Sequence, residues 1–175
     1  MDLYLRFWFV LLAVGLVGAP SFARELIVME KSIEIQRSIE DVYEFAGNAL
    51  NDGSWRKEVN EIRMDGPFNV GTIFYEDAKL GSHDHFITYT EITEMNEHEV
   101  IYETTLDNPS YLKSHRIFEA IDSETTRFTY HVEVEEKMFK DILKLPVPKF
   151  LAKWAYKRRM KKYLKSLRDQ LEVHL

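Results

Sequence analysis

The stretch KFLAKWAYKRRMKKYLKSLRDQLEVHL, Lys149 to Leu175, decides the fold: it contains no Gly or Pro and sets its apolar residues at helical spacing. Tyr156, Met160, Tyr163, Leu164, Leu167 and Leu171 recur at short helical steps, with Phe150, Leu151 and Trp154 one or two turns earlier. This pattern predicts one long amphipathic helix, whose apolar stripe must be buried against another layer. The chain from Val59 to Glu136 supplies that layer. It is rich in Thr, Ile, Val, Tyr and Phe and is broken by Asp65-Gly66-Pro67, Gly71, Gly81-Ser82, Asn96-Glu97-His98, Asp107-Asn108-Pro109 and Asp122-Ser123-Glu124. Turn signals at such regular spacing are the rhythm of an antiparallel meander. Strands are expected near 59–64, 71–80, 84–95, 99–106, 111–121 and 126–136. Apolar residues fall on both registers between His85 and Ile92, so a bulge is expected there.

Upstream, Glu25 to Arg37 alternates as a first strand, with Ile27, Met29, Ile33 and Ile35 on one parity. Ser38 then precedes Ile39-Glu40-Asp41-Val42-Tyr43-Glu44-Phe45, an N-cap followed by acidic residues, so a helix is expected from Ile39 to Ala46. Gly47, Asn48, Asn51, Asp52 and Gly53 interrupt it before Trp55, leaving a turn or a second short helix. The expected architecture is α+β: a seven-stranded curved antiparallel sheet around a long C-terminal helix, with two short helices after the first strand. After Glu136 the composition shifts through Leu145-Pro146-Val147-Pro148 into the terminal helix.

The chain has 175 residues and no Cys, with 45% apolar and 13% aromatic content, which excludes disorder, collagen-like and disulfide-scaffold classes. Without thiols, only His and carboxylates could ligate a metal. Residues 1–23 stand apart. Phe7 to Ala19 is an uncharged apolar run of 13, followed by Pro20 and by Ser21 and Ala23, small residues suited to signal-peptidase cleavage after Ala23. The run is too short for a comfortable membrane span. An exported protein, periplasmic or secreted, is expected, with 24–175 as its single domain; an uncleaved N-terminal anchor is the alternative.

The net charge of −6 conceals an asymmetry: residues 149–175 carry nine Lys and Arg against Asp169 and Glu172, a net of +7, which leaves −13 on 24–148. Lys153, Lys157, Arg158 and Lys161 on the polar flank, near Trp154, suit peripheral contact with an anionic membrane. A solvated face paired with the acidic sheet is the plainer alternative. An acidic exported domain is no partner for nucleic acid. Nothing in the sequence sets the oligomeric state.

Ile33-Glu34-Ile35-Gln36-Arg37-Ser38-Ile39-Glu40-Asp41-Val42-Tyr43, then Trp55, Val70-Gly71-Thr72, Ile92-Thr93-Glu94 and Arg116-Ile117-Phe118-Glu119-Ala120-Ile121-Asp122 with Thr125 to Tyr130, resemble the SRPBCC superfamily. This is the helix-grip fold of START lipid-transfer domains, birch pollen allergens, coenzyme Q-binding proteins and polyketide cyclase/dehydrase-like proteins. The likeness covers essentially all of 24–175. It departs before the first helix, where Arg37 and Ser38 replace the family's usual small residue and proline. The resemblance implies a hydrophobic small molecule, a lipid or isoprenoid, held between sheet and terminal helix, without a cofactor. The superfamily has no common catalytic set, so fold alone leaves the reaction open.

Strand parity and the helix stripe nominate Trp55, Phe74, Tyr102, Arg116, Phe118, Phe128, Tyr130, Leu151 and Trp154 as ligand-binding residues, the aromatics serving equally well as plain core. A cyclase or dehydratase acting on a hydrophobic substrate is the competing class; Tyr102, Tyr130, Glu76 or Arg116 would then be its acid or base, but no spacing marks one. There is no Gly-x-Ser-x-Gly, His-Glu-x-x-His or phosphate-binding glycine loop. His83-Asp84-His85 places two imidazoles on one strand face but lacks an evident third ligand, so no metal is expected. His115 and His131 fall on the parity opposite Phe118 and Tyr130 and should face outward. Ligand access is expected around Gly81, Asn108-Pro109 and the Pro146 to Pro148 segment.

Overall fold

The computed structural model describes residues 25–144 and 148–174; the leader and its cleavage site lie outside the described residues. Seven strands form one antiparallel sheet: β1 (Leu26–Ile35), β2 (Val59–Met64), β3 (Ile73–Leu80), β4 (His83–Asn96), β5 (Glu99–Thr104), β6 (Leu112–Asp122) and β7 (Thr125–Glu135), in spatial order β1-β7-β6-β5-β4-β3-β2. β2 to β7 form the meander that the turn signals predict, and β1 completes the sheet beside β7, with Ile27 opposite Val134 and Ile35 opposite Thr126. The register of β4 against β5 shifts between Ile92 and Glu94. That bulge returns Met95 to the inner face after Ile92 but lies beyond the His85 to Ile92 stretch, whose mixed parity comes from Ile87 and Tyr89 standing exposed on the outer face.

The connection from β1 to β2 carries α1 (Ile39–Gly47), a single 3-10 turn (Ala49–Asn51) and α2 (Asp52–Trp55). Ser38 caps α1 as expected, its hydroxyl accepting the Asp41 N–H at 3.3 Å; an N-cap of this kind is worth about 1 kcal/mol. Two further helices close the chain, α3 (Glu136–Leu143) and α4 (Lys149–His174). α3 corrects the sequence reading, which left this segment as a strand end and connection. Its apolar residues Met138, Phe139 and Ile142 do follow helical spacing, but eight residues are too few for that period to stand out from a strand tail.

The C-terminal half of α4 fills the grip. Met160, Tyr163, Leu164, Leu167 and Leu171 are buried with Ile27, Met29 and Ile35 of β1, Phe118 of β6, and Phe128, Tyr130 and Val132 of β7. Truncating one such leucine to alanine costs about 2–5 kcal/mol. The end of α4 is tied to the chain just after β1: Arg37 Nε donates to the Leu171 carbonyl at 2.8 Å, and Gln36 N–H donates to Glu172 Oε1 at 2.9 Å. At the opposite end of the sheet Phe74, Ile92, Val100 and Tyr102 pack under Ala49. An apolar space remains where α3 and the first half of α4 cross the sheet.

Candidate ligand-binding cavity

A cavity of about 160 Å3 lies beneath α3 and the N-terminal half of α4. Its sheet wall is Leu80, Thr88, Leu112 and Val134; α3 contributes Met138, Phe139, Ile142 and Leu143, and α4 contributes Ala152, Ala155 and Tyr156. Phe139 meets Tyr156 edge to face at 6.1 Å between ring centroids, so the two helices lock across the opening. Gly81, in the β3–β4 turn at φ +59°, is the floor on which α3 rests: a Cβ there would collide with the Ile142 carbonyl. Only glycine meets both the left-handed conformation and that close approach.

The inner end of the cavity is charged. Arg56, directly after α2, donates through both terminal nitrogens to Glu76 of β3, at 2.9 and 2.7 Å, and through Nη1 to Asp52 Oδ2 at 2.9 Å. Its Nε stands 3.5 Å from Glu58 Oε1. Asp52 is fully buried and accepts two further bonds from Arg116, at 2.8 and 2.7 Å, while Arg116 Nη1 also donates to the Ala46 carbonyl at 2.7 Å. The chain Arg116–Asp52–Arg56–Glu76 thus joins α2 to the sheet by charge-assisted bonds. Burial opposes the charge on both guanidiniums, but their carboxylate partners outweigh it and raise both above the ordinary arginine value. Burial, then Tyr130, raises the Tyr156 hydroxyl above its usual range; burial, then Tyr156 and Glu58, does the same for Tyr163. Both phenols therefore stay neutral at physiological pH.

The residues nominated from the sequence fall elsewhere. Trp55, Phe74, Tyr102, Phe118, Phe128 and Tyr130 are buried and none lines this cavity, Trp55 bordering instead an open groove beside α4. Trp55 stacks edge-on against Tyr130 and Tyr163 at 6.0 and 6.3 Å, and Tyr102 donates its hydroxyl to the Gly47 carbonyl at 2.6 Å while accepting from Ala49 N–H. Arg116 is sealed beneath Asp52. Leu151 and Trp154 point away from the cavity, 44% and 60% exposed. Parity identified the inward face correctly; what decides core or cavity is where α3 and α4 lie over it. Of the acid/base nominees, Glu76 alone reaches the cavity, held by Arg56.

His115 and His131 do lie on the outer face, paired with Glu99 at 2.7 Å and with Glu30 and Glu133 at 3.0 and 3.2 Å. His83 Nε2 lies 3.0 Å from the Asp141 carbonyl and His85 Nδ1 lies 2.8 Å from Asp77, so the two imidazoles serve different partners. No group of three or more His, Asp or Glu able to hold a metal occurs among the described residues. Gly81 borders the cavity as expected, whereas Asn108 is fastened to β4 through both main-chain groups of Tyr89, at 3.0 and 2.6 Å. Residues 145–147 lie outside the described residues.

An α+β sheet gripping a terminal helix over an apolar cavity defines the helix-grip class of small-molecule binding folds. The sequence model of the family described as polyketide cyclase/dehydrase and lipid transport matches residues 27–172, and the chain belongs to that family. Among solved structures it is similar to a START superfamily protein from Mycobacterium smegmatis, with a TM-score of 0.67 at 15% identity over 83% of this chain and 97% of that one. It is also similar to the ZhuI aromatase/cyclase from a Streptomyces species, with a TM-score of 0.65 at 8% identity over 85% and 94%. A protein from Thermus thermophilus gives a TM-score of 0.64 at 16% identity over 82% and 96%. At these identities the likeness is one of fold. No curated protein matches the sequence.

Proposed function

We propose that this protein binds a hydrophobic small molecule, lipid or isoprenoid in character, in the cavity beneath α3 and α4. The observation that carries the reading is the composition of the walls: aliphatic and aromatic side chains from β3, β6, β7, α3 and α4 converge on one space, with charge limited to Arg56, Glu58, Glu76 and Arg159. Its volume of about 160 Å3 matches an apolar cavity that accepts a benzene-sized guest and falls short of the roughly 300–1,000 Å3 of a drug-sized site. The closed form therefore encloses a ring or a short chain segment, and a larger ligand requires α3 to lift. Native mass spectrometry with solvent extraction of protein purified from its producing cell tests this. A removable mass of apolar character is expected; a clean apo mass together with no uptake of a non-polar fluorophore would overturn it.

The same reading extends to where the protein works. An export leader ending at Ala23 would deliver it beyond the cytoplasm, and intact mass would then begin at Arg24. Phe150, Leu151 and Trp154 are exposed beside Lys153, Lys157, Arg158 and Lys161, and the Arg158 guanidinium lies 5.8 Å from the Trp154 ring centroid. Apolar residues flanked by cations suit the interface of an anionic bilayer. No helix among the described residues is long and apolar enough to cross a membrane. Sedimentation with phosphatidylglycerol vesicles should recover the wild type and lose it on Trp154→Ala.

One observation favours an enzyme of cyclase or dehydratase type as the second reading. Glu58 borders the cavity beside Glu76, and its buried Oε1 is ion-paired with Arg56 Nε at 3.5 Å. Glu58 and Glu76 place two carboxylates at this end, and Glu58, with the weaker hold on Arg56, is the better placed to act as a base. If Glu58→Gln abolishes turnover of a bound polyketide-like substrate while leaving its binding intact, the enzymatic reading prevails.

A further inference from the structure

The basic residues of α4 do not share one face. Lys153, Lys157, Arg158 and Lys161 line neither the cavity nor its neighbour, whereas Arg159, Lys162 and Lys165 turn toward a second, open groove of about 580 Å3 between α4 and the segment after α2. Lys57 and Lys79 complete its rim, and Trp55 and Tyr163 form its base. Five cations face two carboxylates, Glu58 and Asp169. Lys79 pairs with Asp84 and Asp169 stands 4.0 Å from Arg168, but no described carboxylate pairs with Lys57, Arg159, Lys162 or Lys165. Four unpaired cations around one concavity repel one another and raise the local concentration of anions. Trp55 adds an indole N–H that is buried without a hydrogen-bond partner.

This groove adjoins the apolar cavity, since Glu58, Arg159 and Tyr163 line both. An apolar ligand would need no such neighbour, and a free anion would need no apolar chamber. We propose that the natural ligand is an anionic amphiphile, an apolar body carrying a phosphate or carboxylate group, with the body under α3 and the anionic head among Lys57, Arg159, Lys162 and Lys165. The proposal rests on the cavity-binding reading and names the ligand class for it. Charge-assisted hydrogen bonds from arginine and lysine supply the head's affinity and make it salt-dependent. Helical spacing supplies the geometry: Arg159, Lys162 and Ser166 follow at steps of three and four on one face.

Calorimetric titration of the full-length protein with decyl phosphate, decanoate, decanol and inorganic phosphate tests it. Either anionic amphiphile should bind at least about tenfold more tightly than decanol, the range expected for one charge-assisted interaction, and the tighter of the two identifies the head. The exposed double substitution Lys162→Gln, Lys165→Gln should remove that advantage and leave decanol affinity unchanged, whereas Lys153→Gln, Lys161→Gln should change neither. Decanol binding as tightly as the anions would overturn the head site while the cavity reading stands. Absence of binding by all three amphiphiles would overturn both. Inorganic phosphate binding as tightly as decyl phosphate, or equal losses in the two double variants, would also overturn the proposal, because either makes the interaction independent of a ligand spanning cavity and groove.

Discussion

Asp52 is the residue on which the charged end of the cavity depends, and replacing it with alanine measures that dependence. Its carboxylate is fully buried and accepts three bonds, two from Arg116 and one from Arg56. Arg56 would keep its two-pronged bond to Glu76, but Arg116 would keep only the Ala46 carbonyl among these partners. The main cost is therefore an uncompensated guanidinium in the interior, for which about 3–5 kcal/mol is expected. In a chain of this size about 1 kcal/mol moves the melting temperature by roughly 2–4 °C, giving a fall of about 6–20 °C. Urea unfolding and thermal circular dichroism of Asp52→Ala measure it directly. The double variant Asp52→Leu, Arg116→Met supplies the control: with the guanidinium also gone, it should be more stable than Asp52→Leu alone. A loss under about 1 kcal/mol for Asp52→Ala, or a double variant no better than the single, would refute the argument that an orphaned charge sets the cost.

Three further outcomes are expected. Ala152 is buried in the cavity wall, so Ala152→Leu should fill the space and weaken a non-polar fluorophore at least about tenfold, or 1.4 kcal/mol, with the melting temperature maintained; unchanged affinity would place the ligand elsewhere. Gly81→Ala forces a Cβ toward the Ile142 carbonyl at a left-handed backbone position; a loss of about 1–3 kcal/mol is expected, with faster proteolysis across 136–148, and a wild-type melt with wild-type proteolysis would contradict α3 seating on that glycine. Lys149, then Lys140, hold the Glu136 carboxyl down to about 2. A depressed carboxylate stabilises the fold above its unfolded value near 4.3 and loses that contribution as pH falls through about 2. Carboxyl NMR should show Glu136 titrating near 2, and a midpoint at the ordinary glutamate value would dissolve the link between α3 and α4.

The sheet was legible because its residues obey a period that burial imposes. Ile27 and Met29 in β1, and Phe128, Tyr130, Val132 and Val134 in β7, alternate because one side of each strand meets α4. The cavity was not legible, because inward parity is shared by residues with opposite fates. Phe128 and Val134 lie on the same face of the same strand, yet Phe128 packs against Phe118 at 5.1 Å and Val134 borders empty space. Nor does periodicity couple Asp52 to Arg116 across 64 residues.

Local spacing and composition fix the seven strands and their order, the long terminal helix and the segregation of acidic body from basic helix, but not α3. Tertiary structure alone decided three things: that α3 covers the cavity, that Arg56, Glu58 and Glu76 make its charged end, and that Arg159, Lys162 and Lys165 part from their neighbours to line a groove. The physical reason is the same in each case. Burial period is a property of one element against an average surface, whereas a cavity and its charges depend on how several elements fail to fill the space between them.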